Sequence, residues 1–110
     1  MGEKMARQAE LGALPIWLDQ QNRRVWQGPE CLRLRSQEFD VLQHLISQAG
    51  MLVTKDALFK AVWQKDNPTY TAGDEVITTC IHSLRRKLKD TGKPARYVET
   101  TYKQGYRFIG

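Results

Sequence analysis

The chain has 110 residues, 41% of them hydrophobic and 26% charged, with a formal net charge of +5. That length sets one domain with a modest core. The start Met1-Gly2-Glu3-Lys4 lacks the apolar core of a signal peptide, and no run approaches the ~18 apolar residues of a membrane span.

The two cysteines, Cys31 and Cys80, lack metal-ligand spacing and are too few for a disulfide framework. The expected setting is a reducing cytoplasm, with no cofactor and no metal. The charge is uneven. Residues 82–110 hold eight Lys/Arg against Asp90 and Glu99, while residues 1–81 hold nine against ten. All of the excess therefore lies in the last quarter of the chain. A polyanion partner suits this, because neutralising phosphates releases counterions. A solvated basic surface without a partner is the other reading.

Residues 1–14 (MGEKMARQAELGAL) read as a linker remnant or disordered segment, and Pro15 opens a domain over 15–110. Three short alternating stretches, 16–19, 23–26 and 30–34, are divided by Gln20-Gln21-Asn22 and Gly28-Pro29 and predict an antiparallel meander. From Ser36 the apolar residues Phe39, Leu42, Leu45, Ile46 and Ala49 recur at three and four, which predicts a helix over 36–49 stopped by Gly50. Ser36 is the expected cap, with Glu38 favourable near the positive end of the helix dipole.

Residues 51–53 suffice for one or two strand pairs. A second helix is expected over 54–63, capped by Thr54, with Leu58, Ala61 and Val62 inward. A polar loop, 64–73, leads to Asp74 as cap of a third helix over 74–89, broken by Gly92 and Pro94. The end reads as a hairpin over 97–109 that turns through Lys103-Gln104-Gly105. Glycine permits that turn.

On the third helix Ile77, Ile81, Leu84 and Leu88 form one narrow apolar stripe. The opposite face carries Glu75, Thr79, His82 and Arg86, flanked by Thr78, Ser83 and Lys89. Short polar groups and an arginine suit a helix in the DNA major groove; an ordinary solvated face is the bland reading. A capped helix, a loop, a basic helix and a hairpin tipped by Lys103 follow the order of a helix-turn-helix with a wing.

Four strings, L-R-S-Q-E-F-D-V-L (34–42), G-M-L-V-T-K-D-A-L-F-K-A-V-W (50–63), I-H-S-L-R-R-K-L (81–88) and V-E-T-T-Y-K-Q-G-Y-R-F (98–108), resemble the effector domain of OmpR/PhoB-type bacterial transcriptional regulators. V-I-T-T-C-I-H-S-L-R-R-K-L-K-D and Y-K-Q-G-Y lean toward the ToxR/CadC-like branch. The resemblance runs from about Ile16 to Gly110. It implies an α+β fold: an amino-terminal meander of about four strands, three helices and a carboxy-terminal hairpin wing. It further implies sequence-specific binding to double-stranded DNA, third helix in the major groove and wing tip at the adjacent minor groove. RNA polymerase meeting the loop 64–73, dimers on tandem half-sites and control by a sensor or receiver domain, as in two-component systems, are implied as well. Such a regulator is cytoplasmic, or the cytoplasmic part of a membrane-anchored one.

The expected DNA-contact residues are Thr54, Lys55, Trp63, Thr78, Thr79, His82, Ser83, Arg85, Arg86, Lys89, Tyr102, Lys103 and Gln104. Several depart from the family pattern. His82 and Ser83 precede Arg85 and Arg86 where several arginines are usual, and Glu75 replaces a phosphate-contacting arginine. Tyr102 replaces the wing arginine, Lys103 stands where glycine is common, and Arg35 replaces a capping threonine. Trp63 reads either as a phosphate contact or as a half-buried core residue. Trp17 and Trp26 are expected in the core, Tyr106 in hairpin packing and Cys80 in packing.

An enzyme is excluded for lack of parts: there is no Gly-rich phosphate loop, metal cluster or paired acid and base. RNA binding would want exposed aromatics on a sheet. The remaining alternative is a winged helix that binds protein only.

Overall fold

The computed structural model describes residues 14–92 and 95–110. The stretch read as a linker lies outside them except for Leu14, whose N–H donates to the Tyr97 hydroxyl at 2.8 Å while that hydroxyl donates back to its carbonyl at 2.6 Å. In chain order come β1 (Ile16–Asp19), β2 (Arg24–Gln27), β3 (Glu30–Leu32), α1 (Ser36–Ser47), β4 (Val53–Thr54), α2 (Lys55–Val62), α3 (Glu75–Lys87), β5 (Val98–Thr101) and β6 (Gly105–Phe108). The fold is α+β, as the resemblance implies.

The first three strands form an antiparallel sheet in sequence order, and β4, β6 and β5 form a second. The amino-terminal sheet thus has three strands among the described residues. The short β4 joins the wing instead, Val53 opposite Tyr106 and Thr54 opposite Gly105. Strand β2 starts one residue later than expected because Arg23 closes the preceding turn at φ 52°.

Trp17 and Trp26, expected in the core, are 66% and 37% exposed. They face each other across β1 and β2 on the outer side. Alternation along β2 turns Val25 and Gln27 inward instead. Gln27 is tolerated inside because its amide donates to the Leu88 carbonyl at 2.6 Å, at the end of α3.

Helix α1 lies at the centre of the core, so Val41 is buried along with Phe39, Leu42 and Leu45. Its cap is not Ser36, which is the first helical residue. Arg35 holds the extended cap conformation, and Glu38 reaches back to accept its N–H at 2.8 Å, which is half of a capping box. The helix ends at Ser47, and Gly50 (φ 82°) turns the chain so that its N–H meets the Phe108 carbonyl.

Thr54 caps α2 as expected, accepting from the Ala57 N–H at 3.1 Å. Asp74 forms no side-chain cap on α3; its carboxylate stands 3.9 Å from Lys55. The predicted stripe Ile77, Ile81, Leu84 and Leu88 is buried throughout. Helix α3 stops at Lys87 because Lys89 adopts φ 59°, with its N–H bonded to the Arg86 carbonyl and the Asp90 N–H to the Arg85 carbonyl. That pattern is a Schellman motif with lysine where glycine is usual.

The wing turns differently from expectation. Its left-handed residue is Lys103 (φ 60°), with the Gln104 N–H closing onto the Thr101 carbonyl at 2.9 Å. Glycine is required at Gly105 for another reason: a Cβ there would strike the Val53 carbonyl oxygen of β4.

Two buried carboxylates bind these parts together. Asp90, 3% exposed, accepts the backbone N–H groups of Arg96 (2.6 Å), Tyr97 (3.1 Å) and Val98 (2.8 Å). Glu38, also 3% exposed, takes the Arg35 N–H, the Ser83 hydroxyl and the Lys87 ammonium, the last at 2.6 Å.

Asp90→Asn removes an acceptor oxygen and a charge while leaving buried N–H groups behind, so it is expected to lower unfolding free energy by about 2–3 kcal/mol in urea titrations. An unchanged midpoint and slope would contradict the clamp. Burial alone would raise the Glu38 pKa, but the bonds from Lys87, Ser83 and Arg35 outweigh it and hold the carboxyl below its ordinary 4.5. A depressed native pKa gives stability that is complete above the ordinary value and is lost as pH falls through the native one. Glu38→Gln should therefore be less stable at neutral pH and show a flatter loss of stability below pH 4.5, read from denaturation at stepped pH.

Candidate nucleic-acid interface

Helix α3 has four uses for its surface. Its apolar stripe enters the core. On the flank toward α1, Ser83 and Lys87 donate to Glu38. On the flank toward the wing, the Arg85 guanidinium donates to the Val98 carbonyl through Nε at 3.1 Å and through Nη2 at 2.7 Å, and to the Thr100 hydroxyl. What remains outward is Glu75, Thr78, Thr79, His82 and Arg86, all exposed.

The expected contact residues therefore fall into groups. Thr79, His82 and Arg86 lie together on the outward line. Thr78 is exposed beside them, its hydroxyl turned onto the Asp74 carbonyl at 3.2 Å. Ser83 is partly buried, and Arg85 braces the wing. Lys89 stands past the helix end, 3.5 Å from Glu30. Trp63 is half-buried, its ring stacked on Phe59 at 5.8 Å and 10°, while Phe59 also stacks on Tyr70.

The wing tip is separate from these but close. Tyr102 is 80% exposed, with the Lys103 ammonium 5.4 Å from its ring centroid. Lys103 and Gln104 border a cleft of about 710 Å³ with Thr54, Lys55 and Ile77. His82 and Arg85 border another, about 460 Å³, whose far side is Glu99 and Thr100 of β5. Helix α3 thus borders the wing through two separate clefts, Ile77 toward the tip and His82 with Arg85 toward β5.

Charge on this surface is mixed. Arg86 and Lys103 belong to no ion pair among the described residues, whereas Lys55 approaches Asp74 and Lys87 is bound to Glu38. Cys80 lies beneath, its thiol pushed by burial, and further by Glu38, up to about 11. It is an inert packing group at neutral pH. Among the described residues no cluster of three or more His, Cys, Asp or Glu is placed to hold a metal.

Sequence reasoning missed Glu38 and Asp90, which position the surface without joining it. Glu38 was read only as favourable to the helix dipole; with Arg35 as the cap it stands at the third helical position, where a capping box places an acid. Asp90 had no sequence signal, since acids are disfavoured at helix carboxy termini.

The family model described as "Transcriptional regulatory protein, C terminal" matches residues 29–108. The chain is 42% identical over 71 residues to the transcriptional regulator HilA of Salmonella typhi, covering 64% of this chain and 12% of that protein. It is 33% identical over 82 residues to the cholera toxin homolog transcriptional activator of Vibrio parahaemolyticus, covering 74% and 27%. The chain therefore spans only a small part of these relatives. Among solved structures, the Klebsiella pneumoniae RstA DNA-binding domain in complex with the RstA box superposes with a TM-score of 0.75 at 31% identity, over 88% of this chain and 94% of that one. The two sequence relatives are named as transcriptional regulators, and the RstA domain shares the fold described above. The chain belongs to the family of transcriptional regulatory protein C-terminal domains, the winged-helix DNA-binding domains of OmpR/PhoB type.

Proposed function

We propose that the chain binds duplex DNA sequence-specifically as the effector domain of a transcriptional regulator, with α3 in the major groove and the wing tip at the adjacent minor groove. The observation that carries this is the exposed line Thr79, His82 and Arg86 beside a wing braced by Arg85. That the similar RstA domain was solved in complex with the RstA box supports DNA binding by this fold. Threonine hydroxyls and an arginine fork are suited to base edges, and two cations without ion partners among the described residues are suited to phosphates.

In this reading Thr78, Thr79 and His82 face bases and Arg86 meets either a base or a phosphate. Thr54, Lys55, Lys89 and the Trp63 indole N–H line the backbone, and Tyr102, Lys103 and Gln104 form the wing contact. Ser83 and Arg85 act through position. The loop 64–73 is the proposed polymerase-facing surface; its Tyr70 carbonyl accepts from Gln64 at 2.8 Å, which gives it internal order. Dimers on tandem half-sites and a sensor or receiver domain elsewhere in the regulator complete the proposal, with residues 15–110 as the domain and the cytoplasm as its place. Among the described residues no helix is long and apolar enough to cross a membrane.

Arginines 85 and 86 separate two effects. Arg86→Ala should weaken binding to specific and random duplex and reduce the log–log salt slope by about 0.9, the value for one phosphate contact. Arg85→Ala should weaken binding with the slope nearly unchanged, because its guanidinium serves the wing. Fluorescence anisotropy at stepped salt reads both; equal slope changes would sink the division of roles.

The wing gives a second test. Lysine at φ 60° is strained relative to glycine, so Lys103→Gly should raise stability by about 1 kcal/mol while lowering affinity for all duplexes alike. Tyr102→Arg should gain most on sites with A·T-rich flanks, where a narrow minor groove attracts guanidinium. Equal gains on A·T-rich and G·C-rich flanks in a competition assay would mean that the wing stays out of the minor groove.

A further inference from the structure

One residue of the outward face carries the charge that nucleic acid repels. Glu75, Thr79, His82 and Arg86 follow at i, i+4, i+7 and i+11, a single line along α3. All four border one cleft of about 600 Å³ whose other wall includes Trp63 and Tyr70. Glu75 is the first residue of the helix. Its carboxylate lies over Gly73, and it takes part in none of the ion pairs among the described residues. The neighbouring Asp74, not Glu75, is the one that approaches Lys55.

An acid at a helix start is favourable to the dipole, and this explains its tolerance in the free protein. It does not explain an acid on a surface that must approach phosphates. A carboxylate only accepts hydrogen bonds. Within the major groove the only donors are the exocyclic amino groups, N4 of cytosine and N6 of adenine. The adenine amino group is flanked by acceptors on both sides, its own N7 and the O4 of the paired thymine. The cytosine amino group has an acceptor on one side only, the O6 of guanine, and a C–H on the other. A carboxylate is therefore repelled least at cytosine.

We propose that Glu75 is a specificity-determining residue whose carboxylate accepts from the N4 amino group of one cytosine in the major groove. The proposal rests on α3 being the groove helix. It assigns opposite tasks to the two ends of the line: an acceptor at Glu75 and a donor fork at Arg86, eleven residues apart. A site with cytosine under the first end is bound, and other bases there meet an unpaired negative charge.

The test is selection from random duplex DNA by the 110-residue chain and by its Glu75→Ala and Glu75→Gln variants, followed by titration of the selected site and its single-base substitutions. The wild type is expected to prefer cytosine at one position by about tenfold over the other bases. Glu75→Ala should lose that preference and bind random duplex more tightly. Glu75→Gln should shift the position toward adenine, whose N6 and N7 match a carboxamide. An identical motif for all three proteins, with affinity merely raised in the variants, would overturn the proposal while leaving α3 in the groove. A wild type that selects no motif would overturn the docking on which the proposal rests.

Discussion

The reading surface depends on the Asp90 carboxylate. It sits just beyond α3, where the negative end of the helix dipole opposes an acid, and it is buried, where an unpaired charge is costly. Both penalties are met by three backbone N–H groups from residues 96–98, which no strand partner would otherwise satisfy at the entry to β5. The acid thereby converts the connection between helix and wing from a loop into a fixed joint. Arg85 repeats the link one turn earlier, from α3 to the Val98 carbonyl. Gln27 ties the Leu88 carbonyl to the amino-terminal sheet. Helix, wing and meander therefore hold one relative orientation, which a protein needs if it is to meet two grooves at once.

Glu38 does for the other flank of α3 what Asp90 does for its end. It starts α1 by capping Arg35 and holds α3 through Ser83 and Lys87. One side chain thus sets both the first turn of α1 and the rotation of α3 about its axis. That rotation decides which polar residues point outward. Ser83 and Arg85, polar by type, are turned to structural partners, and Thr79, His82 and Arg86 are left exposed.

This is also where the sequence stopped being legible. Periodicity located all three helices, and the apolar stripe of α3 was read residue for residue, because spacing alone determines one face of a helix. The meander and the hairpin were legible from their turn residues. Burial of a strand face was not: Trp17 and Trp26 look like core residues, yet the register turns them outward, and Gln27 goes in because a helix carbonyl awaits it. The turn residue of the wing was misplaced because Gly105 satisfies a turn pattern, while its actual constraint is the approach of β4. Asp90 was unreadable, since its partners are backbone groups that exist only after folding.

The charge pattern takes on a different meaning once partners are known. The last quarter of the chain holds a large positive excess, but Lys87 is joined to Glu38, Lys89 lies near Glu30, Arg107 near Glu99, and Arg85 is bound to backbone. Exposed pairs such as Lys89 with Glu30 are weak and can exchange their partner for a phosphate; Lys87 with buried Glu38 and Arg85 with the wing cannot do so without loosening α3. The cations available to DNA are thus fewer than the composition suggests. Counterion release scales with the number of phosphates neutralised, so one copy of this domain gains modest sequence-independent affinity. In the docking proposed above, discrimination falls to the short polar line on α3, and tight binding requires that line to match its site. So docked, the domain is expected to hold random DNA loosely and to let its specific site stand out.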